Sequence, residues 1–119
     1  MTWLLVALAG GLGAGTRFLL DGALTVALRP ALPVGTVVVN VLGSFLLGLV
    51  AGTGGVSPEL GLVAGTGFLG GFTTFSTASV DVVRVLGARR PVAASCLCAG
   101  MLASCVGAAW CGLLLAPGL

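Results

Sequence analysis

Hydrophobic residues fill the chain in four long stretches, separated by short segments that hold prolines, arginines or paired glycines. The stretches cover about residues 2–28, 34–53, 58–86 and 91–116. A helix of about 20 residues crosses the hydrocarbon core of a bilayer, so each stretch is long enough to span it. The pattern predicts an all-α membrane protein whose four transmembrane helices form a single domain over residues 1–119.

The third stretch contains a local conflict with helix formation. Gly70-Gly71 is followed by Phe72-Thr73-Thr74-Phe75-Ser76-Thr77, and glycine, threonine, serine and phenylalanine are weak helix formers. In lipid, a break persists only where protein or water satisfies the freed backbone groups. We therefore predict a broken third helix, with the break at residues 70–75 near the bilayer midplane. Because such breaks recur at ion sites, this hydroxyl-rich segment is a candidate ion site, with a merely glycine-rich packing surface as the alternative.

Composition places the chain in the membrane and limits its chemistry. Hydrophobic residues make up 58% and charged residues 7% of the chain, whereas a soluble domain carries roughly 25% charged residues. There is no histidine, and the only carboxylates are Asp21, Glu59 and Asp81, near the ends of the predicted helices. No catalytic constellation or histidine proton relay is available, so we do not expect an enzyme. The net charge of +2 gives no indication of nucleic-acid binding.

The arginines predict the orientation of the chain. Arg29 and the pair Arg89-Arg90 lie in the two loops on one side of the membrane, whereas the loop at residues 53–57 and both tails lack arginine. Arginine-bearing loops are cytoplasmic as a rule. We therefore expect a multi-pass protein of the inner (plasma) membrane with both termini extracytoplasmic. Gly87 is expected to stop the third helix before its loop.

Small residues suggest close helix packing. Glycine accounts for 21 of 119 residues, and Gly11 and Gly15 form a small-xxx-small pair, with Gly10 and Gly13 beside them. Such spacing lets helix backbones approach closely in lipid. Four thin helices enclose little volume, so we expect an oligomer.

Polar groups inside the predicted helices are the candidate ion ligands. Asn40 either links two helices through hydrogen bonds or donates its amide N–H to a permeating anion. Further donors are the hydroxyls of Thr73, Thr74, Ser76 and Thr77. The helix that restarts after the break presents an N-terminus, which attracts anions. Donors without an acidic acceptor favour a path for a small anion over one for a cation.

Other side chains leave two interpretations open. The positive edge of the Phe75 ring could face an anion, or the ring could be an ordinary core or lipid contact. Arg17 could attract anions at a vestibule or lie at the interface, and it could pair with Asp21 four residues on. Asp81 and Arg84 are expected to form a surface pair.

All four cysteines lie in the fourth stretch. They are Cys96, Cys98, Cys105 and Cys111. Without a histidine beside them, we interpret them as small buried packing residues rather than metal ligands or disulfides.

Three motifs resemble those of the Fluc/CrcB fluoride channel family. They are Gly-Gly-Leu-Gly-Ala-Gly-Thr-Arg at residues 10–17, Gly-Thr-Val-Val-Val-Asn-Val-Leu-Gly-Ser-Phe at 35–45, and Gly-Phe-Leu-Gly-Gly-Phe-Thr-Thr-Phe-Ser-Thr at 67–77. Their order and spacing agree over about residues 5–90. The resemblance implies a fluoride-specific channel subunit that lets cytoplasmic fluoride leave passively and so lowers its toxicity.

The resemblance also implies an assembly and its sites. It implies an antiparallel dimer with narrow pores and one structural Na⁺, which is not transported. Backbone carbonyls that match Gly70 and Thr73 would hold this Na⁺. The pore positions match Asn40, Phe75, Ser76 and Thr77.

The chain departs from the family pattern in ways that bear on its partner. Ala78 stands where the family has a second pore phenylalanine. The family also has a row of polar residues on its fourth helix, for which Ser104 is the one candidate here. A homodimer that inserts both ways needs balanced charges, whereas the arginines here are one-sided. We therefore hypothesise an oppositely oriented homologous subunit as partner. The alternatives are a non-conducting structural partner in a heterodimeric fluoride channel, or a small multidrug or cation transporter, which would be expected to carry an intramembrane carboxylate.

Overall fold

Helices account for most of the residues that the computed structural model describes, which are 1–29 and 31–118. In chain order they are α1 (Thr2–Leu28), α2 (Val34–Gly52), α3 (Pro58–Gly61), a π-helical segment (Leu62–Leu69), α4 (Gly70–Phe72), α5 (Phe75–Gly87), α6 (Pro91–Leu115) and a short 3₁₀ turn (Ala116–Gly118). The described part of the chain contains no strand. The expected all-α class is therefore confirmed.

Three helices, α1, α2 and α6, are long and apolar enough to cross a membrane. The third hydrophobic stretch is divided among α3, the π-helical segment, α4 and α5. Within the fully described range 58–87, helical conformation is absent at Thr73 and Thr74 alone. The arrangement fits four helical stretches in a membrane protein.

The start of the third stretch is fixed by capping and by a contact with α1. The hydroxyl of Ser57 accepts a hydrogen bond from the Leu60 backbone N–H, and Pro58 occupies the first helical position, where its missing N–H costs nothing. The Thr2 hydroxyl donates to Oε1 of Glu59 at 2.6 Å. The beginnings of α1 and α3 therefore lie at the same end of the molecule.

Helix α1 packs on the third stretch through glycines. A Cβ atom at Gly13 would collide with the Phe68 carbonyl, and one at Gly71 would collide with the Gly10 carbonyl. A Cβ atom added at Gly11 or Gly15, in contrast, would have no atom of a neighbouring helix within 4 Å in the described part of the chain. Helix rotation thus places Gly10 and Gly13 at the contact, and within one chain the Gly11/Gly15 pair does not mediate packing.

Helices α2 and α6 also meet backbone to backbone. A Cβ atom at Gly48 would collide with the Ala109 carbonyl, and one at Gly112 would collide with the Phe45 carbonyl. Close approach of this kind maximises dispersion contacts, which drive helix association where lipid is as apolar as the side chains. It also holds α6 along α2, so that Met101 of α6 reaches Asn40.

The end of α5 differs from the expected glycine stop. Gly87 is the last helical residue, and the left-handed conformation falls on Arg89, with a φ of 57°. The Arg90 N–H donates to the Val85 carbonyl and the Arg89 N–H to the Leu86 carbonyl. These two bonds form a Schellman motif with arginine in the position that usually holds glycine. The glycine prediction was wrong because helical hydrogen bonding continues through Ala88, whose N–H still reaches the Arg84 carbonyl.

The cysteines do not fill the core of the chain. Cys96, Cys98 and Cys111 are exposed, Cys105 is half-buried, and all four are free thiols. The prediction of buried packing residues was wrong because other residues occupy the inward face of α6. Those residues are Ala94, Met101 and Gly112.

Candidate ion site

Two threonines in extended conformation separate α4 from α5. Thr73 has a ψ of 159°, and Thr74 has a φ of −148° and a ψ of 123°. The Thr74 hydroxyl accepts a hydrogen bond from the Thr77 backbone N–H at 3.2 Å and so caps α5. The sequence therefore specifies both the loss of helix and its restart within a few residues.

The side chain of Asn40 pairs with the backbone of this junction. Its Nδ2 donates to the Thr74 carbonyl at 2.8 Å, and the Thr74 N–H donates to its Oδ1 at 2.7 Å. Asn40 is only 7% exposed, so both bonds form in a dry setting where unmade bonds are costly. Asn40 thus links α2 to the junction, which is the first of its two interpretations. Its role as an anion donor remains a prediction.

The same bonds leave two backbone carbonyls without their helical donors. In a continuous α-helix, the carbonyls of Gly70 and Thr73 would accept from the N–H groups four residues later, on Thr74 and Thr77. Here the Thr74 N–H goes to Asn40 and the Thr77 N–H goes to the Thr74 hydroxyl. These carbonyls belong to the two residues for which the family resemblance predicts a structural Na⁺ site, and Gly70 lies on the exposed surface of the chain.

Hydroxyl groups cluster at the start of α5. Oγ1 of Thr74 lies 3.1 Å from Oγ1 of Thr77 and 3.4 Å from Oγ of Ser76. Ser76 is exposed and Thr77 is half-buried. The cluster therefore combines hydroxyl donors with the positive end of a 13-residue helix.

The two phenylalanines of the motif have different surroundings. Phe72 is buried and stacks on Phe68, with ring centroids 6.1 Å apart. Phe75 is 88% exposed and packs on little of its own chain. Ala78, one turn later, is buried. Phe72 therefore belongs to the core, whereas the Phe75 ring is free to contact lipid or a second subunit.

A cavity of about 430 Å³ lies between the two arginine-bearing loops. Its walls include Asp21, Thr25, Thr36, Thr77, Asp81, Arg84 and Arg90. Ala31 and Ala88, one from each loop, also line it, so both loops lie at the same end of the molecule. Thr77 is shared by this cavity and the hydroxyl cluster, which makes the cavity a vestibule to the junction.

A buried carboxylate in the vestibule was missed by the sequence reasoning. Asp81 does pair with Arg84, at 3.5 Å, but Asp81 is only 7% exposed and accepts a hydrogen bond from the Thr36 hydroxyl at 2.8 Å. The predicted pairing of Asp81 with Arg84 is therefore present, but the prediction that it lies on the surface was wrong, because α2 covers the Asp81 carboxylate. A pattern in the sequence could have indicated this contact. Thr36 and Asn40 are four residues apart and share one face of α2, and Thr77 and Asp81 are four residues apart and share one face of α5.

Arg17 does not pair with Asp21 in the described part of the chain. The Asp21 carboxylate lies instead against Gly35, where a Cβ atom would collide with its Oδ1. Nε of Arg17 is buried and has no hydrogen-bond partner among the described residues. The possible Arg17–Asp21 pair is therefore not formed among the described residues, where Asp21 lies against α2 instead.

Replacing Thr36 with valine is expected to destabilise the fold by about 1–3 kcal/mol, because Asp81 would lose a buried donor. Thermal unfolding in detergent measures this loss. Thr36→Ser, which keeps the hydroxyl, is the matched control and should retain most of the stability. Equal losses in the two variants would mean that the methyl group matters as much as the hydrogen bond, and an unchanged stability of Thr36→Val would mean that the hydrogen bond contributes nothing.

The chain is similar to known proteins over nearly its whole length. The family described as "CrcB-like protein, Camphor Resistance (CrcB)" matches residues 4–113. A relative from Leifsonia xyli subsp. xyli, named fluoride-specific ion channel FluC 1, is 48% identical over 115 residues, which cover 94% of this chain and 84% of the relative.

Two further relatives carry similar names. Fluoride-specific ion channel FluC 2 of Cutibacterium acnes is 50% identical over 118 residues, covering 92% of this chain and 96% of the relative. Fluoride-specific ion channel FluC of Geobacter sulfurreducens is 39% identical over 119 residues, covering 97% and 96%. These relatives are named as channels, which agrees with the expectation that the chain is not an enzyme. With the match spanning nearly the whole sequence, the chain belongs to the CrcB family.

Proposed function

We propose that the chain is a subunit of a fluoride-specific ion channel, through which cytoplasmic fluoride leaves the cell passively. Relatives that share up to half of its residues carry that name. The observation that carries the proposal is the junction at Thr73-Thr74, held by the buried side chain of Asn40. There, hydroxyl donors and a helix N-terminus come together between α4 and α5.

The anion path is proposed to pass Asn40, Phe75, Ser76 and Thr77. Ser76 offers an exposed hydroxyl, and Thr77 connects the junction to the vestibule. The exposed Phe75 ring can turn its positive edge to an anion once a second subunit surrounds it. Arg17, whose buried Nε has no partner among the described residues, is proposed to attract anions through its positive charge.

The carbonyls of Gly70 and Thr73 are proposed to hold the structural Na⁺. Neutral oxygen atoms suit a hard cation, and these two have lost their helical donors. Two carbonyls are fewer ligands than a bound hard cation requires. A second subunit would contribute the remainder, and the bound ion would hold the two subunits together without being transported.

An antiparallel dimer accounts for the surface of the chain. Large apolar side chains are exposed on the described part, among them Phe18, Phe75 and Trp110. Membrane lipid and a second subunit are the surroundings that would cover them. Because both arginine-bearing loops lie at one end, the chain is proposed to insert with its termini outside the plasma membrane. Its partner is then an oppositely oriented homologous subunit.

A non-conducting structural subunit is the second candidate. Ala78 is buried in its own chain, so it offers no aromatic surface where the family has its second pore phenylalanine. A transporter for drugs or cations receives less support, because the buried carboxylate of Asp81 is already engaged by Thr36 and Arg84.

Growth of a bacterium without its own fluoride channels tests the proposal. The chain is expressed alone and together with a CrcB homologue whose loop arginines predict the opposite orientation, and growth is scored on plates with increasing NaF. We expect resistance with the pair, and less with either chain alone.

Each outcome assigns a role. Resistance with the chain alone supports a conducting homodimer and contradicts the need for a partner. Resistance that persists in the pair when Asn40 of this chain becomes Asp supports the non-conducting subunit. Absence of resistance in every combination, with both proteins present in the membrane, would contradict the proposed function.

A further inference from the structure

We infer that Met101 is a positioning residue, whose thioether holds the second N–H of Asn40 until a permeating anion takes it. This inference rests on the proposed function. It concerns how the amide is kept ready to donate while it also supports the junction.

The amide of Asn40 has three hydrogen-bonding positions in use. Its oxygen accepts from the Thr74 N–H, and its nitrogen donates to the Thr74 carbonyl. The same nitrogen lies 3.5 Å from Sδ of Met101. An amide nitrogen carries two N–H groups, so one supports the backbone and the other faces the sulfur.

A thioether is a weak acceptor, and this weakness is the useful property. The amide of Asn40 is buried, so an N–H without any partner would be costly there. A strong acceptor would satisfy this N–H but would also bind it too tightly for an anion to take its place. Fluoride carries a full charge, and hydrogen bonds to charged acceptors are roughly twice as strong as neutral ones. The N–H can therefore move from sulfur to the anion while the bonds to Thr74 remain.

The position of Met101 on α6 supports a specific role. The buried residues of α6 are Ala94, Met101 and Gly112, and the other two offer no side-chain acceptor. Met101 is 8% exposed and has a flexible side chain that can move aside when an anion takes the N–H. Through this sulfur, the fourth helix is inferred to contribute to the anion path.

Methyl NMR can observe this exchange directly, because the chain has just two methionines, Met1 and Met101. The protein is labelled with ¹³C-methyl methionine, reconstituted in nanodiscs with its partner subunit unlabelled, and titrated with NaF, with NaCl as control. We expect the Met101 methyl signal, assigned by its loss in Met101→Leu, to shift saturably with NaF and not with NaCl. If the Met101 methyl signal does not shift with NaF in protein that conducts fluoride, the inference is overturned.

Flux measurements with two substitutions of similar volume separate positioning from packing. Met101→Leu removes the acceptor, whereas Met101→Gln supplies a stronger one. We expect the fluoride concentration for half-maximal efflux to fall in the leucine variant and to rise in the glutamine variant, each by roughly threefold to tenfold. Leu102→Ala, at an exposed neighbouring position, should leave it unchanged.

A purely structural role predicts a different result. Both Met101 variants would then lower the maximal rate of efflux in proportion to the fraction of misfolded protein and leave the half-maximal fluoride concentration unchanged. That result would overturn the inference about Met101. Efflux by the wild type would still support the proposed function. No efflux from the wild type would instead contradict the proposed function, and the NMR titration would still decide whether fluoride reaches Met101.

Discussion

Asn40→Asp is expected to reduce fluoride efflux from liposomes by about 100-fold or more. The carboxylate cannot donate to the Thr74 carbonyl, which the Asn40 amide contacts at 2.8 Å. A buried acceptor left without its donor costs about 1–3 kcal/mol. A negative charge beside the path repels the anion in addition. A fluoride-selective electrode records the initial rate of efflux.

Two further variants separate general damage to the protein from the loss of the amide and from the added charge. Ser79→Ala removes a hydroxyl that bonds within α5 to the Phe75 carbonyl, and it should conduct like the wild type. Asn40→Leu keeps the branched shape of the side chain without adding a charge and should also lose efflux, because the junction loses both bonds. Efflux by Asn40→Asp within about threefold of the wild type would mean that Asn40 is not on the path.

Gly71→Ala is expected to destabilise the fold by about 1–3 kcal/mol or more, in the range for overpacking. The new methyl group would collide with the Gly10 carbonyl. A backbone atom cannot relieve the collision by changing rotamer, as a side chain could. Separation of α1 from α4 would also disturb the neighbouring junction. Thermal unfolding in detergent, followed by the fluorescence of Trp3 and Trp110, measures the loss.

Gly11→Ala is the matched control on the other surface of α1. No atom of a neighbouring helix in the described chain lies within 4 Å of the added carbon, and alanine favours a helix over glycine by about 1 kcal/mol. The stability of the single chain should therefore stay the same or rise. Equal destabilisation by Gly11→Ala and Gly71→Ala would contradict the packing described here.

Much of the fold follows from the sequence because hydrophobic length is a strong constraint in a membrane. The four stretches are too long and too apolar for a soluble domain, and the weak helix formers at Thr73 and Thr74 coincide with the non-helical backbone. The motifs around Asn40 and Phe75 identified the family because their residue order and spacing are specific. Each of these signals is local in the chain.

The contacts that the sequence did not reveal depend on helix rotation and on pairs that are distant in sequence. Asp81 looked like a surface residue because Arg84 is three residues away, whereas the hydroxyl that buries it belongs to Thr36. Helix α6 is apolar on all sides, so nothing in its residue pattern indicates that Met101 faces inward and Cys96 outward. The pairing of Asn40 with the Thr74 backbone likewise required the two elements to be placed side by side.

The most direct test of the central claim is the rate of fluoride efflux compared with that of chloride, from liposomes that contain the chain together with its oppositely oriented partner. Both rates are measured with ion-selective electrodes after addition of a potassium ionophore. A small-anion path through the Asn40–Thr74 junction, lined as in this family, predicts rapid loss of fluoride with chloride retained, and loss of that flux in Asn40→Asp. Chloride leaving as fast as fluoride, or neither anion leaving from liposomes that contain folded protein, would contradict it.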